Sequence, residues 1–199
     1  MRGRFIVIYG ANNLGKSIQV DLLAEAYKKQ GVKVKKIKYP IYDLKPTGPE
    51  INAVLRKGKK MSELNLQKLY AKNRLEYQKT LEGYLEKGYM VVAEDYTGTG
   101  IAWGMVRGLS LEALEKMNKG LLKEDLGILL FGKRFTEGIE KTHRNETDEK
   151  IWETSQKIHL DLAEKYEWKK VNANGTKKEV FKKIAEIINN HEDKNCDCC

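Results

Sequence analysis

A chain of 199 residues, 41% of them hydrophobic, is long enough to bury a substantial core in one α/β domain, with or without a small appendage. Its net charge of +9 points to anionic partners, but the basic residues are dispersed over helix faces rather than gathered in a stripe, which speaks against nucleic acid. No apolar run approaches the roughly 18 residues of a membrane span, and Met1-Arg2-Gly3-Arg4 leads straight into a strand pattern, so neither signal peptide nor anchor is expected and the chain reads as cytoplasmic.

The elements alternate along the chain. Phe5 to Tyr9 is β-branched and aromatic, as a buried strand should be, and Ile18 to Gln30 places Val20, Leu23, Ala24 and Tyr27 at helical spacing. Between them lies Gly10-Ala11-Asn12-Asn13-Leu14-Gly15-Lys16-Ser17, which fits G-x-x-x-x-G-K-[ST], the phosphate-binding loop. Backbone N–H groups of such a loop converge with the open N-terminus of the helix to make an anion cradle. Lys16 adds a point charge for the β- and γ-phosphates, and the Ser17 hydroxyl suits Mg²⁺.

Val32 to Lys38 reads as a second strand, followed by a loop over Pro40 to Pro49 and a short helix around Ile51, Val54 and Leu55 that breaks at Gly58. A long helix opens at Ser62-Glu63-Leu64 and closes at Gly88, and Tyr89 to Ala93 is an apolar strand running into Glu94-Asp95-Tyr96. Leu109 to Lys119 reads as helix, Leu126 to Phe131 as strand, Lys133 to Lys141 as helix, and His143 to Thr147 lacks periodicity. An amphipathic helix over Glu149 to Trp168, a short strand at Lys169 to Asn172 and a helix from Thr176 to Asn190 complete the pattern. Five strands separated by helices predict a parallel, three-layer α/β/α sheet with its ligands over the carboxyl ends of the strands. Cys196, Cys198 and Cys199 fall in a charged tail, 191–199, expected to be disordered; a soft-metal or mixed-disulfide role is the alternative.

From Gly3 to about residue 188 the order of these segments resembles the thymidylate kinase family of P-loop nucleoside monophosphate kinases. The phosphate loop carries the resemblance, with Tyr39-Pro40 after the second strand, Tyr70-Ala71-Lys72-Asn73-Arg74 in the long helix and Glu94-Asp95-Tyr96-Thr97-Gly98-Thr99-Gly100-Ile101-Ala102-Trp103 after the third strand. The tail segment Asn172-Ala173-Asn174-Gly175-Thr176 falls where the family's last strand runs into a loop near the adenine. The resemblance implies a P-loop kinase fold, ATP with Mg²⁺ as phosphoryl donor, thymidine monophosphate as acceptor and a homodimer through helices flanking the sheet.

On that reading Lys16, Glu94, Arg134 and Arg144 are catalytic, and Ser17 with Glu94 serves the metal. Gly10 to Ser17 and Asn174 hold ATP, while Tyr39, Tyr70, Arg74, Tyr96, Thr99, Gly100 and Trp103 line the acceptor. Tyr70 and Arg74 stand four residues apart on one helix face, able to offer a ring and a planar donor to one base; core tyrosine and surface arginine is the alternative. Residues 133–149 read as a short lid whose cations Arg134, Lys141 and Arg144 close over the transferring group.

Three positions depart from the family's pattern. Glu94-Asp95 stands where the family has Asp-Arg, Asn12 where it commonly has an acidic residue, and Tyr42 near the place of an arginine. Each alters charge around a dianionic acceptor, with Lys38, Lys45 and Arg107 as candidates for compensation. A deoxynucleoside kinase with Glu94 as base, and a non-catalytic nucleotide-binding relative, are the competing readings.

Overall fold

In the computed structural model, which describes residues 2–137 and 148–196, five parallel strands form one sheet in the order β2-β3-β1-β4-β5. The central strand β1 (Phe5–Tyr9) is buried along its whole length between β3 (Met90–Glu94) and β4 (Leu126–Phe131), with Phe5 opposite Val91 and Ile6 opposite Leu126. Strands covered on both faces need continuous apolar runs, and β1, β3 and β4 have them. The edge strand β2 (Val34–Lys38) instead alternates buried Val34 and Ile37 with exposed lysine, which blunts its open side. At the other edge, β5 (Lys169–Asn172) buries Val171 alone.

Helices cover both faces. Helices α1 (Lys16–Lys29) and α7 (Lys177–Cys196) close a core containing Ile6, Ile8, Leu23, Ile128 and Ile184. On the opposite face, α3 (Glu63–Glu86), α4 (Thr97–Val106), α5 (Leu111–Met117) and α6 (Glu149–Lys165) cover Phe5, Val7, Tyr9, Leu81, Leu114 and Leu162. A satellite core joins α2 (Thr47–Arg56) to α3 through Ile51, Leu55, Leu66 and Tyr70. Serine and aspartate caps start three helices: Ser62, Ser110 and Asp148 each accept a backbone N–H three residues on.

Four boundaries differ from the sequence reading. Helix α2 begins inside the expected Pro40 to Pro49 loop, with Pro49 in its first turn, where no N–H is needed. Helix α4 forms over Thr-Gly-Thr-Gly, a run of weak helix formers, because the missing side chains let neighbours in. A Cβ on Gly98 would stand 2.1 Å from the Trp168 ring, and one on Gly104 would stand 2.5 Å from Leu114. The expected helix over Lys133 to Lys141 is absent from its described part: Lys133 to Glu137 is irregular, because its backbone bonds elsewhere. Lys133 N–H donates to Asn174 Oδ1 at 2.6 Å and Phe135 N–H to the Asn13 carbonyl at 2.9 Å. Finally, α7 continues past Asn190 to Cys196, there being no glycine or proline to stop it; Cys198 and Cys199 lie outside the described residues.

Candidate active site

Carboxyl ends of all five strands meet at one cavity of about 1170 Å³. Its floor is the loop Gly10 to Ser17, leaving β1 at the centre of the sheet. The loop turns through positive φ at Gly10 (144°), Asn13 (60°) and Gly15 (80°), a conformation that glycine adopts freely and asparagine tolerates. Ala11 and Leu14 point into the core and anchor the loop, while Asn12, Asn13, Gly15, Lys16 and Ser17 face the cavity. Two further contacts hold the loop from above: Trp152 Nε1–H donates to the Asn12 carbonyl at 2.6 Å, beside the Phe135 bond to Asn13.

Lys16 is 5% exposed. Its ammonium donates to the Gly10 and Ala11 carbonyls at 2.8 and 2.9 Å and lies 3.6 Å from the Asp95 carboxylate. Ser17 donates to Glu94 Oε2 at 2.7 Å, and Lys38 pairs with Glu94 Oε1 at 2.8 Å. Glu94 is thus already held by two donors, an arrangement suited to a fixed oxygen acceptor rather than to a mobile base. Asp95 sits at φ +61°, accepts from Thr99 at 2.8 Å and faces Lys16. Burial pushes its carboxyl above the ordinary carboxylate range; Lys16 opposes that rise and Glu94 adds to it. The negative charge expected to disturb the acceptor phosphate is therefore matched locally by Lys16.

Away from the loop, Tyr70, Arg74, Tyr96, Thr99, Gly100 and Trp103 line the other half of the cavity, with Tyr39 beside them. Tyr70 and Arg74 do share a face, with the guanidinium 5.8 Å from the ring centre. Arg74 is not a surface residue: it is 5% exposed and donates to the Tyr96 carbonyl at 2.9 Å and Asn118 Oδ1 at 3.0 Å. Burial pulls its pKa below the usual arginine value. Gly100 gives it room, since a Cβ there would meet Arg74 Nη2 at 2.4 Å. Tyr39 and Tyr96 pack ring against ring at 4.9 Å, and burial raises both hydroxyls well above the ordinary tyrosine value. The bonds of Asn73 to Ile41 N–H, the Ile41 carbonyl and Thr47 fix the loop that carries Tyr39 and Pro40.

Beyond β5 the wall is Ala173, Gly175, Thr176 and Lys177; Asn174, expected there to hold ATP, instead accepts from Lys133 N–H outside the cavity lining. Arg134 does line the cavity, paired with Glu149 at 2.9 Å and 5.7 Å from the Trp152 ring centre. Arg144, with most of the expected lid, lies outside the described residues. Lys45 and Arg107 do not line the cavity; Lys38 does. Missed from sequence were Trp152 and Phe135, which carry no motif and reach the loop through tertiary packing.

A family model described as thymidylate kinase matches residues 8–184 of the chain. A protein of Pyrococcus abyssi named "Probable thymidylate kinase" is 32% identical, over 94% of this chain and 97% of its own length. The thymidylate kinase of Schizosaccharomyces pombe is 26% identical, over 95% and 93%. Among solved structures, the thymidylate kinase of Candida albicans superposes with a TM-score of 0.83 at 24% identity, covering 96% of this chain and 93% of that one.

Proposed function

Because the chain belongs to the thymidylate kinase family, and is thereby a nucleoside monophosphate kinase with nucleotides as substrates, we propose that its cavity transfers the γ-phosphoryl group of ATP to thymidine monophosphate in the manner of this site. The observation that carries the reading is one continuous cavity lined both by the phosphate loop and by Tyr70, Arg74 and Trp103, with Glu94 and Asp95 held against the loop through Ser17 and Lys16.

The residues fit Mg²⁺. Ser17 Oγ and the Glu94 carboxylate are hard oxygen donors 2.7 Å apart, and Mg²⁺ keeps most of its shell as water and phosphate oxygen rather than needing a protein cage. When bound, the ion would neutralise charge on the donor phosphates. The chain's own part is positioning. The loop N–H groups and Lys16 hold the donor phosphates, for which Lys16 must leave the Gly10 and Ala11 carbonyls. Arg74 and Tyr70 fix the acceptor base, which sets an acceptor phosphate oxygen in line with the γ-phosphorus. That oxygen bonds to phosphorus as the bond to the bridging oxygen of ADP breaks. The acceptor phosphate is already ionised, so no base is required, in keeping with a Glu94 held by Ser17 and Lys38.

A coupled assay of ADP release against thymidine monophosphate, other nucleoside monophosphates and free nucleosides tests the assignment. Turnover with thymidine monophosphate is expected; turnover of nucleosides alone, or none at all, would replace it with one of the two competing readings. No helix among the described residues is long and apolar enough to cross a membrane, and a cytoplasmic site of action fits a nucleotide substrate. Homodimer formation through helices flanking the sheet remains part of the proposal, with Leu75, 60% exposed on α3, as the position to probe; sedimentation of the wild type and of Leu75→Glu tests it.

A further inference from the structure

A nucleoside monophosphate brings a doubly charged phosphate towards two carboxylates, Glu94 and Asp95. Lys38 lies 2.8 Å from Glu94 and Lys16 3.6 Å from Asp95, and Lys16 is also the residue the donor phosphates claim. Arg74 spends two donors on Tyr96 and Asn118. The acceptor therefore needs a further cation on the cavity wall, and the last residue of α2 supplies one. Arg56 is half-buried and lines the cavity together with Tyr42 and Leu55. Its guanidinium lies 4.9 Å from the centre of the Tyr42 ring and its Nη1 donates to Asn52 Oδ1 at 3.4 Å. A ring contact of this kind steadies the planar head on the cavity wall, and a guanidinium carries five N–H donors in a fork that matches an oxyanion, for which an incoming phosphate would compete with its present partners.

The position is also right. Burial raises the Tyr42 hydroxyl, Arg56 opposes that rise through a hydrogen bond and its charge, and Lys38 and Asp95 both act on the same hydroxyl. Tyr42, Arg56, Lys38 and Asp95 thus share one stretch of cavity wall, with the Tyr42 hydroxyl close enough to all three charges to respond to them. The backbone brings the pair together through Gly48: a Cβ there would stand 2.3 Å from the Tyr42 carbonyl, so the start of α2 packs directly on the Tyr42 backbone.

We propose that Arg56, seated on the Tyr42 ring, grips the 5′-phosphate of the acceptor nucleotide. This rests on the monophosphate kinase reading above. The test is calorimetric titration of the wild type, Arg56→Gln and Arg56→Lys with thymidine monophosphate, with thymidine and with a non-hydrolysable ATP analogue, alongside melting curves. Loss of one charge-assisted pair is expected to weaken monophosphate binding about 10- to 100-fold in Arg56→Gln. Thymidine and the ATP analogue should bind both proteins alike, and Arg56→Lys should recover part of the loss. Equal weakening for thymidine and its monophosphate would mean that Arg56 only positions α2, and would overturn the proposal. So would unchanged monophosphate affinity in Arg56→Gln. Should the wild type itself bind and turn over no monophosphate, the kinase reading fails and the clamp falls with it; a wild type that turns over thymidine monophosphate while Arg56→Gln binds it normally removes the clamp alone.

Discussion

Lys16 meets two carbonyls and one carboxylate at 2.8, 2.9 and 3.6 Å, so its charge is neutralised before any nucleotide arrives. Lys16→Ala should leave the fold intact and reduce kcat with ATP at least about 100-fold, the scale of losing one positioned charge donor; steady-state turnover and a melting curve together check it. Asp95 poses the opposite question, because the family's pattern has arginine there. An arginine at 95 would face Lys16, and two like charges about 4 Å apart repel by roughly 4 kcal/mol at an effective dielectric near 20. It would also have to adopt φ +61°, which aspartate tolerates better. Asp95→Arg is therefore expected to lower Tm and weaken binding of both nucleotides, whereas Asp95→Asn keeps the backbone and the Thr99 contact and should fold normally. Tm and affinity measured on both variants decide it, and a tighter-binding Asp95→Arg would show that Lys16 is not its effective partner.

Helix α4 shows why some elements were legible in the chain and others were not. The phosphate loop, its strand and α1 follow from spacing, since local geometry dictates every residue of the motif. Only the family resemblance points to a helix start over Thr97 to Gly104; local propensity opposes it, since each glycine costs about 1 kcal/mol against alanine. The helix exists because Trp168, Arg74 and Leu114 occupy the space its glycines vacate, a relation between residues far apart in sequence. The expected helix after Phe131 failed for the complementary reason: Asn174 and Asn13 take the N–H groups of Lys133 and Phe135. Gly100→Ala should push the Arg74 guanidinium off the Tyr96 carbonyl, at the roughly 1–3 kcal/mol typical of overpacking. KM for thymidine monophosphate should rise far more than KM for ATP. Helix α6 carries a pH dependence of its own. Buried His159 bonds through Nδ1 to the Ser155 carbonyl at 2.8 Å, its Nε2 has no hydrogen-bond partner among the described residues, and burial lowers its pKa from 6.5 to about 4. The unfolded chain takes up a proton near the ordinary value and the folded chain does not. Its stabilising contribution is thus complete above that value and lost as pH falls through the window down to about 4. At about 1.4 kcal/mol per unit this amounts to some 3 kcal/mol at most. Denaturant melts of wild type and His159→Gln between these limits should show a slope that the variant lacks.

For the whole molecule, alternation of strands and helices sufficed to foresee a parallel three-layer sheet, but not the order β2-β3-β1-β4-β5. Strand order is decided by which apolar faces pair across long loops, and periodicity does not record it. The same holds for Arg56, whose segment reads only as a short helix until the fold lays it against Tyr42. The bond from Trp152 Nε1–H to the Asn12 carbonyl, 2.6 Å long, has a practical consequence. The chain has three tryptophans, and the fold assigns them to separate compartments. Trp152 touches the phosphate loop, Trp103 lines the cavity with Tyr70 and Arg74, and Trp168 is stacked on Tyr9 with ring centres 3.9 Å apart. Indole emission responds to hydrogen bonding and to local polarity, so the protein is its own two-channel optical reporter with an internal reference. In variants keeping a single tryptophan, an ATP analogue should shift the spectrum of Trp152, thymidine monophosphate that of Trp103, and neither that of Trp168, which would follow the two substrates separately without an added label.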